Sequence, residues 1–382
     1  MSFAILQPPR ILFGRGTAMQ AMALAQGFGP RGLVVHGAGW RRIAHLLPLA
    51  EGARIFDENS GLLSLTVTQE PRLDDLTLAL NLARSHRPDW VLGIGGGSVL
   101  DMAKALAALI PAPQDPMVYL EAAGPGQPLI APPLPFIAVP TTAGTGAEVT
   151  KNAVIGLPDL GRKVSLRDER MIARVAIVDP ALTDHCPRPV TLASGLDAVT
   201  QVIEPYLSTK ATPYSDAIAR PAIAPGLAAL RRLMQGEDPQ ARDALAWTSL
   251  CGGLALANAG LGAVHGLAGV IGGRTGAAHG AICGALLGPV LQMNRQITSG
   301  SAQARVDEVC ALIAGVLGGP ADMAPLRLTE WARARGLPGL ADQGLRRADH
   351  AAVAAAALKA SAMTGNPVQP AIADLEAVLA AA

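Results

Sequence analysis

The chain has 382 residues, enough for two ordinary domains that each bury a core of their own. Half of the residues are apolar, 16% are charged and the net charge is +1, so the sequence carries no basic or acidic field suited to nucleic acid, an anionic membrane surface or a highly charged partner. A small neutral or weakly charged substrate fits this balance better.

The first ten residues lack the long apolar core of a signal peptide, and no uninterrupted apolar run reaches the length of a membrane span. The expected protein is therefore soluble and cytoplasmic. Short β-rich runs at 32–36, 90–94, 135–139 and 175–178 alternate with helical stretches. Nearly continuous apolar strands separated by helices predict a parallel sheet covered on both faces. After Pro187 and Pro189 the strand signals stop, and Ala/Leu-rich segments with helical spacing run to the end, including an Ala-rich tract from Ala351. The reading is an α/β parallel-sheet domain over 1–185 followed by an all-α domain over 186–382, with Pro/Gly-rich loops at 111–137 and 318–325.

Two turns of the first half suit a nucleotide. The run at 90–94 ends in Gly95, Gly96 and Gly97, Ser98 stands where a helix N-cap belongs, and Asp101 follows three residues later as a capping-box-like acid. Amides at such a helix start can hold a pyrophosphate, although the pattern departs from the strict GxGxxG fingerprint and also suits a tight turn without a ligand. The run at 135–139 leads into a hydroxyl-rich turn with Thr141, Thr142 and Thr145. In a parallel sheet both turns lie at the carboxyl edge, where ligands bind, while threonines also cap helices for structural reasons.

The second half supplies candidates for a divalent metal. A helical segment places Asp197 and Gln201 four residues apart on one face, and His265 and His279 are the only histidines between residues 186 and 349. A carboxylate with two imidazoles can bind Zn²⁺ or Fe²⁺ and leave room for substrate, whereas each histidine alone equally suits a hydrogen-bonded core position. Cys186, Cys251, Cys283 and Cys310 are scattered without paired spacing, which predicts reduced packing residues rather than disulfides or sulfur ligands.

Gly95 to Lys104, Val139 to Thr150, Ala176 to Pro180, Asp197, and the His265 to His279 stretch follow in the order and spacing of the iron-containing, or group III, alcohol dehydrogenases. Phe13 to Gly16 and Asn366-Pro367 are similar to the same family, so the resemblance spans almost the whole chain. It implies a Rossmann-like nucleotide domain, a helical metal domain as in dehydroquinate synthases, a catalytic cleft between them, and NAD(P)-dependent interconversion of small alcohols with aldehydes or ketones. By the same resemblance Gly96, Gly97 and Ser98 hold the pyrophosphate, Thr141, Thr142 and Thr145 surround the nucleotide, Lys163 lies near the ribose, Asp197, His265 and His279 bind the metal, and the enzyme is a homodimer.

Three departures qualify the resemblance. Gln201 stands where the iron-dependent members carry a third histidine, and a neutral amide oxygen is a weak fourth ligand. Glycerol dehydrogenases and dehydroquinate synthases hold zinc with one carboxylate and two histidines; maleylacetate reductases reduce a keto acid without metal. Gly269 replaces a histidine near the reacting oxygen, leaving proton transfer to water, the nicotinamide ribose or another group. Gly37 replaces the aspartate of NAD-specific members, and with Arg41 or Arg42 nearby this predicts that NADPH is accepted or preferred, unless both arginines only face solvent. The missing histidines also admit a nucleotide-binding protein without catalysis.

Overall fold

Strands that are buried on both faces form the centre of the sheet. In the computed structural model, which describes residues 2–47, 56–57, 61–121 and 123–382, the chain divides into two compact units. The first comprises residues 7–142 and 147–183. Its strands are β1 (Arg10–Phe13), β2 (Gly32–Gly37), β3 (Phe56–Asp57), β4 (Leu62–Val67), β5 (Trp90–Gly95), β6 (Phe136–Pro140), β7 (Asn152–Leu157), β8 (Arg162–Arg167) and β9 (Val175–Val178). The main sheet has the order β1-β9-β6-β5-β2-β4-β3. Its first six strands are parallel; the short β3 pairs antiparallel with β4, the one departure from a purely parallel sheet.

Side chains alternate between two cores. Leu33, Val35 and Val91 face a cluster that includes Leu76 and Leu80 of α2 (Leu73–His86) and Leu100 and Leu106 of α3 (Gly97–Leu109). Val34, Leu92, Ile94, Ile137 and Ile177 face the opposite side, with Ala21 and Ala25 of α1 (Ala21–Gln26). The predicted runs are these doubly covered strands. The edge strand β1, the outer β4 and the β7-β8 hairpin are only partly buried and carry a weaker apolar signal.

Glu148, 2% exposed, lies in the short turn after β6. Burial pushes its carboxyl up to about 7, against the opposing pull of its own backbone hydrogen bond and Lys104. A raised folded pKa means that the native state keeps a proton that the unfolded chain releases from about pH 4.5 upward. The resulting stabilisation is complete below that pH and is lost as pH rises through about 7. Glu148→Gln is expected to remove this decline, on the order of 3 kcal/mol. Urea unfolding of both proteins at about pH 5 and about pH 8 checks it: an unchanged difference between the proteins at the two pH values counts against a buried, proton-holding Glu148.

The second unit comprises residues up to Leu6, 143–146 and 184–382, so it takes in a short loop from the first half as well as the helical region. Its helices are α4 (Arg188–Leu207), α5 (Pro213–Leu233), α6 (Pro239–Ala259), α7 (Ala263–Thr275), α8 (His279–Ile297), α9 (Gly300–Leu317), α10 (Ala324–Ala334), α11 (His350–Ala357) and α12 (Ile372–Ala381). Among the described residues, no single helix is long and apolar enough to cross a membrane.

Candidate nucleotide and metal sites

Strand β5 and helix α3 meet through the glycine turn, and the structure assigns its residues different tasks from those expected. The N-cap is Gly96, with extended backbone, and Ser98 lies inside the helix with no side-chain cap. The capping-box expectation fails because α3 starts at Gly97, one residue before Ser98. The Asp101 carboxylate accepts from the Val154 amide at 3.1 Å, tying α3 to β7. A Cβ on Gly95 would stand 2.5 Å from a Val99 methyl carbon, so this glycine allows helix and strand to pack closely. A Cβ on Gly96 would crowd Thr142 Oγ1 at 3.3 Å. The first amides of α3 have no intrahelical acceptors and carry the positive end of the helix dipole.

A cavity of about 370 Å³ opens beside this turn. Gly37, Gly95, Gly96 and Thr141 line it with Gly16, Trp40, Arg42, His45 and Asp179. Gly97, Ser98, Asp101, Thr142 and Thr145 are not in its lining, and Thr145 belongs to the helical unit. Lys163 sits on β8 in an ion pair with Glu70, also outside the lining. Asp179 accepts from the amides of Ala18 and Ala181 at 3.1 and 3.0 Å and so fastens the Gly16 turn to the end of β9. The Arg41 guanidinium lies over the Trp40 ring at 5.8 Å. A Cβ on Gly37 would meet only a Val99 methyl carbon at an ordinary 3.7 Å, so the backbone there does not demand glycine for space. His36 is buried with Nε2 2.8 Å from Ser64 Oγ, and burial lowers its pKa.

Lys104 was visible in the glycine motif, but its role depends on the fold. It is 1% exposed, and its ammonium donates to Ala147 O at 2.7 Å and to Thr150 Oγ1 and Asn152 O at 2.9 Å each. Burial pulls its pKa down to about 8, with Asp101 and Glu148 opposing. The ammonium thereby holds the end of the threonine-rich turn against α3.

Within the helical unit, three helices bring the metal candidates together. Asp197 lies in the buried middle of α4, His265 in the first turn of α7, and His279 is the first residue of α8. His265 Nε2 lies 3.3 Å and His279 Nε2 3.9 Å from Asp197 Oδ1, and the two rings are 5.3 Å apart. The ligand atoms of Asp197, His265, His279 and Cys283 all lie within 4.8 Å of one another. Asp197 Oδ1, His265 Nε2 and Gln201 Oε1 are buried without hydrogen-bond partners. Orphaned buried polar atoms are costly. Converging lone pairs from a carboxylate and two imidazoles are the donor set that a divalent cation satisfies. The His279 side chain is 33% exposed, which leaves the cluster open on that side.

Glu204, which sequence reasoning passed over, orients the site. Its Oε2 is 2.6 Å from His265 Nδ1 and its Oε1 accepts from the Val264 amide at 2.7 Å. Donation from Nδ1–H leaves Nε2 as the free lone pair, the usual carboxylate–histidine support of a metal ligand. The available signal was periodic: Glu204 is two helical turns after Asp197. Gln201, one turn after Asp197, donates through Nε2 to Gly144 O at 3.2 Å. Charges in the cluster favour a cation. Burial opposes ionisation of Asp197, yet the flanking imidazoles hold it below the usual carboxylate range. Burial also opposes charge on the histidines, but the Cys283 sulfur and the carboxylates raise His265 well above its ordinary value and push His279 up to about 9.

All four cysteines are free. Burial pushes Cys251 up to about 12 and Cys310 up to about 11, as inert packing thiols. Cys283 departs from the packing-only expectation, since its Sγ lies 3.6 Å from His279 Nε2. Its spacing of four residues from His279 was the overlooked signal. At Gly269 an added Cβ would meet no atom within 4 Å.

Residues 8–180 match the family model for iron-containing alcohol dehydrogenase, and residues 191–382 match the C-terminal model of the Fe-containing alcohol dehydrogenase family. The chain is 32% identical over 320 residues to lactaldehyde reductase of Escherichia coli (strain K12), covering 81% of each. It is 41% identical over 231 residues to long-chain-alcohol dehydrogenase 1 of Geobacillus thermodenitrificans (strain NG80-2), covering 60% of this chain and a little over half, 58%, of that relative. The solved structure of a 1,3-propanediol oxidoreductase superposes with a TM-score of 0.86 at 27% identity, covering 100% of this chain and 99% of that one.

Proposed function

This chain belongs to the iron-containing alcohol dehydrogenase family, and on that premise we propose that it is an NAD(P)-dependent dehydrogenase that interconverts a small alcohol with its aldehyde or ketone, using a divalent cation held by Asp197, His265 and His279. The observation that carries this reading is the convergence of unpartnered, buried Asp197 Oδ1 and His265 Nε2 beside His279. A divalent ion bound there supplies Lewis acidity toward the substrate oxygen as hydride moves to or from nicotinamide C4. Asp197 contributes the negative charge that retains the ion, Glu204 fixes the His265 tautomer, and Gln201 offers a weak neutral oxygen. Gly96, Gly97 and Ser98 present the start of α3 to the pyrophosphate, with Thr141 and Thr142 around the nucleotide. Lys163 near the ribose and a homodimer belong to the same reading on the resemblance, and a cytoplasmic location belongs to it on the composition.

Gly37 and the cavity-lining Arg42 favour acceptance of NADPH, because no carboxylate at position 37 repels a 2'-phosphate. Gly37→Asp, whose Cβ meets no close contact, is expected to lower the NADPH-to-NADH ratio of kcat/KM by about tenfold or more. An unchanged ratio would count against this part of the reading. Elemental analysis of protein purified without added metal, with NADPH-linked carbonyl reduction before and after chelation, tests the whole. Near-stoichiometric metal, with activity lost on chelation and regained with iron or zinc, supports it. Activity indifferent to chelation in metal-free protein would indicate metal-independent reduction of an activated ketone or keto acid, and cofactor binding without turnover would indicate an inactive nucleotide binder.

A further inference from the structure

We propose that the Cys283 thiolate is a fourth protein ligand of the cation site, so that the donor set is Asp197, His265, His279 and Cys283 and selects zinc over iron. The proposal rests on the reading of this cluster as a cation site and names its complete coordination. Helix α8 supplies both His279, at its first residue, and Cys283 one turn later, so the two side chains lie on one face of the helix. Cys283 is fully buried, and its Sγ is among the four ligand atoms that lie within 4.8 Å of one another.

Two of the separations match the edges of a tetrahedral site. Bonds of about 2.0–2.1 Å to nitrogen or oxygen and about 2.3 Å to sulfur imply ligand–ligand edges of roughly 3.4 Å for N···O and 3.6 Å for N···S. The observed values are 3.3 Å for His265 Nε2 to Asp197 Oδ1 and 3.6 Å for His279 Nε2 to Cys283 Sγ. The His279 to Asp197 edge is wider, at 3.9 Å. Asp197 Oδ1 and His265 Nε2 independently lack partners, so the thiol is not an isolated candidate.

Chemistry then decides between Cys283 and Gln201. A thiolate is an anionic, soft donor, whereas the Gln201 amide oxygen is neutral and weak. Gln201 is also tethered through Nε2 to Gly144 O. A single thiolate beside imidazoles and a carboxylate favours zinc over the harder ferrous ion. With four protein donors, the substrate oxygen would enter by expansion of the coordination to five, which catalytic zinc permits.

Cobalt(II) loaded into the metal-depleted wild-type protein provides a readout independent of turnover. An intense sulfur-to-cobalt charge-transfer band in the near ultraviolet is expected in the wild type and in Gln201→Ala, and it should vanish in Cys283→Ser. Zinc affinity, measured by competition with a chromogenic chelator, should fall by more than about 100-fold in Cys283→Ser and much less in Gln201→Ala. Cobalt binding without the band in the wild type would overturn sulfur ligation while leaving the cation site standing. Failure of both metals to bind would overturn both. The wild-type spectrum decides the question even if the serine variant folds poorly.

Discussion

Asp197→Asn is expected to empty the metal site and lower kcat/KM for carbonyl reduction by about 10³-fold or more, the equivalent of at least about 4 kcal/mol of lost transition-state stabilisation. The substitution keeps shape and volume at a position that is 1% exposed, and removes the one carboxylate among the donors. Without that charge, two imidazoles and the Cys283 sulfur remain beside an amide, and divalent cations compete far less well against protons there. Glu204→Gln should have a milder effect, about 10- to 100-fold in metal affinity, because Glu204 acts by orienting His265. Elemental analysis, cofactor binding and steady-state kinetics check the pair. Cofactor affinity should survive in both variants, since the glycine-lined cavity lies in the other unit. Asp197→Asn protein that retains both metal and turnover would overturn the assignment of the carboxylate.

Lys104→Met is expected to destabilise the nucleotide-binding unit by about 3 kcal/mol. Methionine fills similar volume, but it leaves Ala147 O, Thr150 Oγ1 and Asn152 O without the ammonium that links them. The loss of desolvation cost offsets only part of this, because buried Glu148 also loses its nearby cation. With its pKa depressed to about 8, Lys104 contributes most fully to stability above its unfolded value of 10.5, and that contribution is lost as pH falls through about 8. The remaining stabilisation at neutral pH comes from the three hydrogen bonds. A drop of roughly 5–10 °C in the corresponding thermal transition is expected, together with weaker nucleotide binding as the threonine turn loosens. Calorimetry with and without NADPH measures both effects. An unchanged transition would show that the three acceptors find other donors and that Lys104 is dispensable.

The central strands were legible because a strand covered on both faces must be apolar at nearly every position. β2, β5, β6 and β9 satisfy that condition, whereas β1, β4 and the β7-β8 hairpin mix exposed and buried positions. The glycine turn was legible as a strand-to-helix junction. Its cap was misread by two residues because serine at 98 has the chemistry of a cap, while the backbone placed Gly96 in that role. Asp101 likewise had the spacing of a capping acid and instead bonds across to β7, a partner 53 residues away.

By itself, the sequence determined the alternation of strand and helix, the all-helical second half and the short set of residues with metal-binding chemistry, because hydrophobic periodicity and side-chain donor type are local properties. Only the tertiary structure decided which of those donors meet. Asp197, His265 and His279 come from three helices, Glu204 selects the His265 tautomer across 61 residues of chain, and Cys283 enters the cluster instead of simply packing. Lys104 is also indistinguishable in sequence from a solvated lysine, since its three acceptors lie 43 to 48 residues away. Such contacts depend on how buried faces pack against one another, and no local pattern encodes the distance between two side chains remote in sequence.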